Sequence, residues 1–228
     1  MRTTRGFVDI ELVTGQEVAL TEELANHLTR VLRLRSGDSV QLFNGDGREY
    51  RATLTSLERK RTLARIEGEV SPLSESPLRL TLAQGLCRGE KMDLVLQKAT
   101  ELGVHAIQPL ATERTEVRLD AEREARRVAH WRQVIASACE QSGRAILSTL
   151  AAPLSLPNWL VQLGAAAPAV NPQSMRLMLD PEGGFSDNEA TLLQRMGFVR
   201  LRLGPRVLRT ETAGLAAIAA LQSHWGDL

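Results

Sequence analysis

The sequence predicts an α/β domain with a mainly parallel sheet, preceded by a small unit rich in β-strands. From residue 78 onward, short apolar runs typical of strands alternate with amphipathic stretches at helical spacing, which is the pattern of a parallel sheet with crossover helices. Before that point, short strands are separated by turn signals. Residues 71–77 contain two prolines and three serines and predict a linker. We therefore expect domains at 1–72 and 76–228.

In the first unit, alternating apolar and polar side chains indicate strands. The strand candidates are residues 7–12, 40–43, 50–54 and 63–70. Thr21 is a candidate N-cap for a short helix that reaches residue 34. A turn is expected at 36–38, and Asn44-Gly45-Asp46-Gly47 is a strong hairpin signal. Together these features predict a small barrel-like unit.

In the second unit, predicted strands and helices follow each other along the chain. The strand candidates are residues 78–86, 104–110, 176–179 and 198–203. The helix candidates are residues 90–102, 121–142, a segment after Ser186, and 213–222. Ser186 followed by Glu189 forms a capping box, so a helix begins there. Residues 151–173 predict a helix-containing excursion between strands.

The charge of the chain is nearly balanced. Lysine and arginine total 28, aspartate and glutamate total 27, and the formal net charge is +1, which lacks the positive excess of a typical nucleic-acid binder. Only three of the basic residues are lysines. Arginine binds phosphate in a bidentate manner and stacks on bases, although base-composition bias in the source genome is the simpler explanation of its abundance.

Other patterns exclude several classes of site. Cys87 and Cys139 lie far apart, and the four histidines lack ligand spacing, so neither a disulfide framework nor a metal site is expected. The Rossmann glycine fingerprint, the P-loop and the nucleophile elbow are absent. No apolar run is long enough to cross a bilayer, and no signal-peptide pattern opens the chain. We expect a cytosolic protein.

Two predicted strand ends lead into glycine-bearing loops, at 180–186 and 204–213. In open α/β sheets, ligands bind at the carboxyl ends of strands, so the two loops together predict one pocket. Taken singly, each loop is better explained as a tight turn between a strand and a helix. Five arginines lie within or beside the second loop with no acidic residue among them, which fits either a solvated face or a functional surface. They are Arg195, Arg200, Arg202, Arg206 and Arg209.

These loops resemble the ribosomal RNA small-subunit methyltransferase E family, which belongs to the SPOUT superfamily of knotted methyltransferases. The matching residues are Pro181-Glu182-Gly183-Gly184-Phe185-Ser186 and Leu203-Gly204-x-Arg206-x-Leu208-Arg209-x-Glu211-Thr212-Ala213. Lys98-Ala99-Thr100-Glu101-Leu102-Gly103-Val104 and His27-Leu28-x-x-Val31-Leu32-Arg33-Leu34 extend the resemblance over nearly the whole chain. Asp180 departs from the pattern, because the family usually has glycine there. Residues 151–173 match only loosely.

The resemblance implies both a fold and an activity. It implies a PUA-like RNA-binding barrel followed by a SPOUT α/β domain with a trefoil knot. The implied activity is transfer of a methyl group from S-adenosylmethionine to N3 of one uridine in 16S ribosomal RNA, by a homodimer whose active site lies near the subunit interface. Uracil N3 carries a proton and lies on the pairing edge. The reaction therefore needs a proton acceptor and an unpaired or flipped base.

The resemblance also assigns roles to individual residues. The cofactor candidates are Leu179, Asp180, Pro181, Glu182, Gly183, Gly184, Leu203, Gly204, Val207 and Leu208. The catalytic candidates are Arg114, Arg209 and Glu211. The RNA-binding candidates are Arg5, Arg30, Arg33, Arg35, Arg144 and Arg206. Glu182 and Glu211 are each a candidate base, a partner for an arginine, or simply an acid at a helix start. Arg33 and Arg35 are equally well ordinary surface charges, and Arg144 a salt-bridged helix end.

Two other functions remain open at this point. One is a non-catalytic RNA-binding protein of the same fold, in which Asp180 marks a decayed cofactor pocket. The other is an α/β enzyme that binds a nucleotide through Gly183 and Gly184. Binding of S-adenosylmethionine separates the first from the methyltransferase. Retention on a nucleotide resin rather than an S-adenosylhomocysteine resin identifies the second.

Overall fold

The structure is a computed structural model that describes residues 4–58, 61–116, 121–164 and 173–228. The chain divides into two compact units. The first contains Met1–Glu75 together with Ala136–Leu147, and the second contains Ser76–Ile135 and Ser148–Leu228. The first unit thus includes a segment from the middle of the chain. Whether 1–72 and 76–228 act as separate domains stays a prediction.

The first unit is built on a five-stranded sheet. Its strands are β1 (Arg5–Phe7), β2 (Glu17–Ala19), β3 (Ser39–Phe43), β4 (Glu49–Glu58) and β5 (Arg61–Val70). The order across the sheet is β1-β3-β4-β5-β2. β1 runs parallel to β3, and the other neighbours are antiparallel. The strands predicted at 40–43, 50–54 and 63–70 are confirmed, and so is the hairpin between β3 and β4.

The core of this unit follows from the two-residue period of its strands. Val40 and Leu42 on β3 are fully buried, and they lie opposite Ala52 and Tyr50 on β4. Because successive side chains of a strand point to opposite faces, this register places every second side chain in the core. Leu28, from the helical segment before β3, joins the same cluster.

Two predictions for the first unit need correction. The strand predicted at 7–12 ends at Phe7, because its pairing with β3 stops at Phe43, where the hairpin begins. Thr21 does cap helix α1 (Glu22–Asn26), and its hydroxyl accepts from the Leu24 N–H at 3.3 Å. A π-helical turn continues to Val31 but does not reach 34. Arg33 has a φ of 57°, a left-handed conformation that no helix continues through.

The second unit is a parallel sheet with helices. Its strands are β6 (Arg79–Gly85), β7 (Ala106–Ala111), β8 (Thr149–Leu150), β9 (Leu154–Ser155) and β10 (Ser174–Leu179). The order is β10-β6-β7-β8, and β9 also pairs with β7. Every described pairing in this sheet is parallel. The predicted α/β class is confirmed.

The helices of this unit cover both faces of the sheet. They are α2 (Glu90–Glu101), α3 (Ala121–Ser142), α4 (Leu156–Leu163), α5 (Asp187–Arg195) and α6 (Thr210–Trp225). Ala83 of β6 packs with α4 and α5. Gln84 and Leu179 lie against Gly214 of α6. Since neighbouring residues of a strand face opposite ways, α6 covers one face and α4 with α5 the other.

Most helix predictions are confirmed. α3 has the predicted bounds, and its last residues belong to the first unit. α2 buries Met92, Val95, Leu96 and Ala99 as expected. The excursion predicted at 151–173 contains β9 and α4, and its residues 165–172 lie outside the described part of the chain. None of the helices in the described ranges combines the length and apolarity that a bilayer-spanning segment needs.

The strand predicted at 198–203 is wrong. These residues form no strand, and the side chains of Val199 and Leu201 are 91% and 60% exposed. The alternation of apolar and polar residues fits a strand, but a strand also needs a neighbour to pair with its backbone. Phe198 packs inward, against Trp159 of α4 at a ring distance of 6.1 Å.

Candidate active site

Three loops leave adjacent strands of the parallel sheet at their carboxyl ends. The glycine loop, residues 180–186, follows β10, residues 86–89 follow β6, and the Arg114 loop, residues 112–116, follows β7. β6 lies between β10 and β7 in the sheet. This is the edge at which open α/β sheets bind their ligands.

Arg114 lies directly on the glycine loop. Its Nη1 donates to the Gly183 carbonyl at 3.2 Å. A Cβ on residue 183 would stand 2.9 Å from both the Cβ and the carbonyl oxygen of Arg114, so the two backbones approach this closely only because residue 183 is glycine. A predicted catalytic residue and the predicted cofactor loop therefore belong to one site.

Glu189 joins the same two loops. Its carboxylate is buried, and its Oε2 accepts from the Ser186 N–H at 2.9 Å, which closes the predicted capping box. Its Oε1 accepts from the Glu113 N–H, also at 2.9 Å. No sequence pattern predicts the second bond, because Glu113 lies 76 residues away from Glu189 along the chain. Glu189 thus positions the Arg114 loop beside the start of α5.

The loop after β6 contacts the glycine loop through Glu182. Lys91 Nζ lies 3.0 Å from Glu182 Oε1, and the Arg88 N–H donates to the same oxygen at 3.4 Å. Partial burial alone would raise the pKa of Glu182, but hydrogen bonds from its own backbone and from Lys91 outweigh that and lower the pKa. A carboxylate stabilised in its charged form is a weak proton acceptor. The geometry therefore disfavours Glu182 as a base.

Gly85, the last residue of β6, makes the closest contact with the glycine loop. A Cβ at this position would stand 2.6 Å from the nitrogen and the Cδ of Pro181. Real Cβ atoms do not approach backbone that closely, so only glycine fits here. Sequence reasoning missed Gly85, and its only signal is a glycine at the end of an apolar strand.

The start of α6 packs onto the other side of the glycine loop. The Thr210 hydroxyl donates to the Asp180 carbonyl. Glu211, a predicted catalytic residue, is buried, and its Oε2 has no hydrogen-bond partner among the residues that the structure describes. Arg209 is exposed and directly precedes the helix, with its carbonyl accepting from the Ala213 N–H at 2.8 Å. The two predicted catalytic residues of this segment thus differ sharply in exposure.

The segment before α6, residues 198–209, is named here the arginine loop. It lines an open concavity of about 440 Å³ formed by residues 200–208 and Ala213. The predicted cofactor residues Leu203 and Leu208 are half-buried there, whereas Gly204, Arg206 and Val207 are exposed. The predicted residues of this loop therefore share one concave surface.

The remaining residues of the glycine loop differ in accessibility. The Leu179 side chain is buried against Gly214, 3.4 Å from where a Cβ would stand, so it is covered by α6 and does not face an open pocket. Pro181 is buried as well. Asp180 is half-buried, and burial raises the pKa of its carboxyl. Asp180 Oδ2 lies 3.7 Å from the Cβ position of Gly184, which places its charge inside the glycine loop.

The predicted RNA-binding arginines fall into two groups. Arg30, Arg33 and Arg35 are exposed in the first unit and remain candidates for phosphate contact. The Arg5 side chain binds other residues of the first unit. It forms an ion pair with Glu49 at 2.6 Å, donates to the carbonyls of Cys139, Glu140 and Arg144, and its side chain is 9% exposed. This geometry gives Arg5 a structural role in its own unit, and the phosphate contact predicted for it stays a prediction.

The Arg144 side chain forms a buried ion pair, as expected for a salt-bridged helix end, the alternative to RNA binding for this residue. Its side chain is 6% exposed, and its Nη2 lies 2.6 Å from Oε2 of Glu75. Its Nε also donates to the same carboxylate. This buried pair fits the salt-bridged alternative for Arg144, and its contact with RNA stays a prediction.

Cys87 lies in the loop after β6 as a buried thiol. Cys87 is fully buried, and burial raises the pKa of its thiol to about 12. At neutral pH the group is therefore a protonated, inert thiol. Within the described ranges, no group of three or more histidine, cysteine, aspartate or glutamate side chains is arranged to hold a metal ion.

Comparison with known protein families gives two matches along the chain. Residues 74–222 match a model described as the RNA methyltransferase domain, and residues 20–67 match one described as the RNA methyltransferase PUA domain. Ribosomal RNA small subunit methyltransferase E from Buchnera aphidicola is 30% identical, over 98% of this chain and 94% of its own length. The protein of the same name from Synechocystis is 34% identical, over 93% and 75%.

Solved structures agree over the full length. A methyltransferase from Legionella pneumophila, solved in complex with the cofactor SAM, is 39% identical, covers 100% of both chains and has a TM-score of 0.94. A ribosomal RNA small subunit methyltransferase E from Neisseria gonorrhoeae, bound to S-adenosyl methionine, is also 39% identical, covers 99% of both chains and has a TM-score of 0.91. Both units of the present chain are therefore similar to these enzymes.

Proposed function

Because this chain belongs to the ribosomal RNA small subunit methyltransferase E family, we propose that it transfers a methyl group from S-adenosylmethionine to 16S ribosomal RNA. The observation that carries the proposal is the agreement of the whole chain with a relative of that name that binds S-adenosyl methionine. The non-catalytic alternative is not favoured. The exact position, N3 of one uridine, and the trefoil knot remain expectations from the family resemblance.

The arginine loop and the glycine loop fit such a cofactor. The arginine loop lines a cavity of about 440 Å³, and Thr210, which directly follows it, donates to the Asp180 carbonyl at the start of the glycine loop. When bound, the cofactor supplies an activated methyl group on a sulfonium centre, so the protein mainly has to position it. We assign the positioning to backbone groups of Gly183, Leu203, Gly204 and Leu208. The half-buried side chains of Leu203 and Leu208 would pack against the cofactor.

The chain must also take a proton from the target base. Of the two candidate carboxylates, Glu182 is held in its charged form by Lys91. Glu211 is buried, and its Oε2 has no partner in the described structure. An unpartnered buried carboxylate oxygen is costly unless a ligand donates to it. We therefore assign Glu211 as the proton acceptor, with Arg114 and Arg209 holding the phosphate or the uracil anion.

A Glu211→Gln variant tests this assignment. The amide keeps the shape but accepts no proton, so we expect kcat to fall by roughly 10²- to 10⁴-fold, with the dissociation constant for S-adenosylmethionine changed by less than about threefold. Single-turnover methylation and calorimetry measure the two quantities. Unchanged turnover would remove Glu211 from the chemistry, and Glu182→Gln is the matched control.

RNA binding and assembly complete the proposal. Arg30, Arg33 and Arg35 are proposed to contact phosphates of the RNA, together with Arg206 beside the cofactor cavity. We propose a homodimer in the cytoplasm, supported by three exposed apolar side chains in the arginine loop that a second copy would cover. These are Val199, Leu201 and Val207, at 91%, 60% and 102% exposure. Light scattering on the purified chain measures the assembly.

Two measurements test the function as a whole. Calorimetry with S-adenosylmethionine should show one site per chain, and a well-folded protein without binding would contradict the methyltransferase proposal. Mass spectrometry of 16S ribosomal RNA from a deletion strain should show the loss of one N3-methyluridine that this chain restores. Retention on a nucleotide resin in place of an S-adenosylhomocysteine resin would instead support the nucleotide-binding alternative.

A further inference from the structure

Gln84 is a fully buried amide at the carboxyl end of β6. Its Nε2 donates to the Gly85 carbonyl at 3.0 Å and to the Thr210 hydroxyl at 3.3 Å. A carbonyl oxygen only accepts, and the Thr210 hydroxyl has already given its single proton to the Asp180 carbonyl. Both partners therefore require the nitrogen on this side, which fixes the orientation of the amide.

The oxygen of the same amide has no hydrogen-bond partner within the described ranges of the chain. Gln84 Oε1 is buried without a hydrogen bond in the described structure. Its surroundings include Gly214 of α6, whose Cβ position lies 3.8 Å away. A buried acceptor without a donor destabilises a fold, and an apolar side chain would avoid that cost. Packing alone therefore does not explain why a glutamine occupies position 84.

The chain of bonds from Gln84 reaches both loops of the candidate active site. Thr210 is the first residue of α6 and directly follows the arginine loop. Its hydroxyl holds the backbone of Asp180, where the glycine loop begins. Gln84 also holds the carbonyl of Gly85, the residue against which Pro181 packs. One side chain thus links the end of β6, the start of α6 and the first residues of the glycine loop.

We propose that Gln84 and Thr210 are positioning residues that hold the glycine loop and the arginine loop in the arrangement that binds the methyl donor. This inference rests on the proposed function, and it concerns groups that touch neither the cofactor nor the target base. Gln84 acts through the Thr210 hydroxyl and through the Gly85 carbonyl, and Thr210 acts through the Asp180 carbonyl. Loss of the hydroxyl should therefore release the start of the glycine loop from α6.

Thr210→Val is the sharpest test, because it replaces the hydroxyl with a methyl group at nearly constant shape. We expect the dissociation constant for S-adenosylmethionine to rise about tenfold, which is the equivalent of one hydrogen bond. Thr210→Ser restores the hydroxyl and should bind within about threefold of the wild type. Gln84→Leu should also weaken binding, and the double variant should bind at least as weakly as Thr210→Val, because the amide holds the Gly85 carbonyl as well as the hydroxyl.

A matched control separates positioning from general stability. Gln108 is another buried glutamine, on the neighbouring strand β7, and its Nε2 donates to the carbonyls of Pro109 and Ala152. Gln108→Leu should lower the melting temperature without changing cofactor affinity. If Thr210→Val binds the cofactor as the wild type does, or if Gln108→Leu weakens binding as much as Gln84→Leu, the proposal is wrong.

Hydrogen exchange of the cofactor-free protein gives a second readout. The Gly184 N–H donates to the Pro181 carbonyl at 3.0 Å inside the glycine loop. Thr210→Val should accelerate exchange in residues 182–186, and Gln108→Leu should not. If the wild type fails to bind S-adenosylmethionine, the proposed function fails while this readout still decides the structural link. Equal exchange in all variants would overturn the link itself.

Discussion

Gly85 shows how little room a single residue has at the edge of the parallel sheet. The place that a side chain at residue 85 would need is taken by the Pro181 ring and its nitrogen. Neighbouring Cys87 is enclosed as well, with its thiol 3.3 Å from the Gly85 carbonyl. Small residues at this edge let the glycine loop lie directly on the strand ends.

The Gly85→Ala variant tests this crowding. The added methyl group has to displace backbone, so we expect a stability loss of about 1–3 kcal/mol and a rise of at least about tenfold in the dissociation constant for S-adenosylmethionine. Thermal unfolding and calorimetry measure the two effects. Gly68→Ala, on β5 with nothing within 4 Å of its Cβ position, is the control. A stable, fully binding Gly85→Ala would show that the glycine loop has room to move.

The reactivity of Cys87 gives a second prediction at the residue scale. Burial raises the pKa of its thiol to about 12, so at pH 8 the nucleophilic thiolate is scarce and shielded from reagent. In a Cys139→Ser background, we expect Cys87 to react with a thiol reagent only after denaturation. Fast labelling of the native protein at pH 8 would contradict the buried position.

Helix α5 illustrates how one element organises a site. Its start is closed by the reciprocal bonds of Ser186 and Glu189, and Glu189 also holds the backbone of the Arg114 loop. The capping box is a local pattern that the sequence shows, whereas the bond to Glu113 joins two loops of the folded sheet. The same carboxylate thus stabilises the helix and places Arg114 beside Gly183.

Ser186→Ala should remove the cap of α5. Loss of an N-cap hydroxyl costs about 1 kcal/mol, so we expect a lower melting temperature. Thr191→Ala is the control, because the Thr191 hydroxyl bonds to the Asp187 carbonyl within the same helix and lies on its exposed side. Chemical denaturation of both variants gives the comparison. An equal loss of stability in Ser186→Ala and Thr191→Ala would show that the cap makes no specific contribution to the stability of α5.

At the scale of the whole molecule, the first unit is not a contiguous piece of chain. Arg5 pairs with Glu49 and caps the carbonyls of Cys139, Glu140 and Arg144, and the Phe7 N–H donates to Glu140 Oε1 at 2.8 Å. These residues all belong to this unit. A buried charge that loses its partners is strongly destabilising, so the unit depends on the segment Ala136–Leu147.

A fragment of residues 1–75 should therefore fail to fold. It keeps the Arg5–Glu49 pair but loses the carbonyls that satisfy the remaining donors of Arg5. We expect no cooperative thermal transition by circular dichroism at 25 °C and above. Cooperative unfolding at a temperature near that of the full chain would show instead that residues 1–75 form an independent domain, as a contiguous boundary near residue 72 predicts.

Much of the fold could be predicted from local patterns. The bounds of α3, the cap at Thr21, the capping box of α5 and the hairpin at Gly45 and Gly47 depend on residues only a few positions apart. The strand predicted at 198–203 is wrong because strand pairing depends on distant residues. Its alternation is local, but pairing needs a neighbouring backbone that the pattern does not describe.

The sequence by itself determined the order of the elements, the α/β class, and the two loops that carry the family resemblance. Only the tertiary structure decided that Arg5 and Arg144 are buried ion-pair partners, that Glu182 is held by Lys91, and that Gln84 reaches Asp180 through Thr210. The physical reason is the range of each interaction. Helix caps and turns depend on near neighbours, whereas burial and partners of charged side chains depend on segments that meet only after folding.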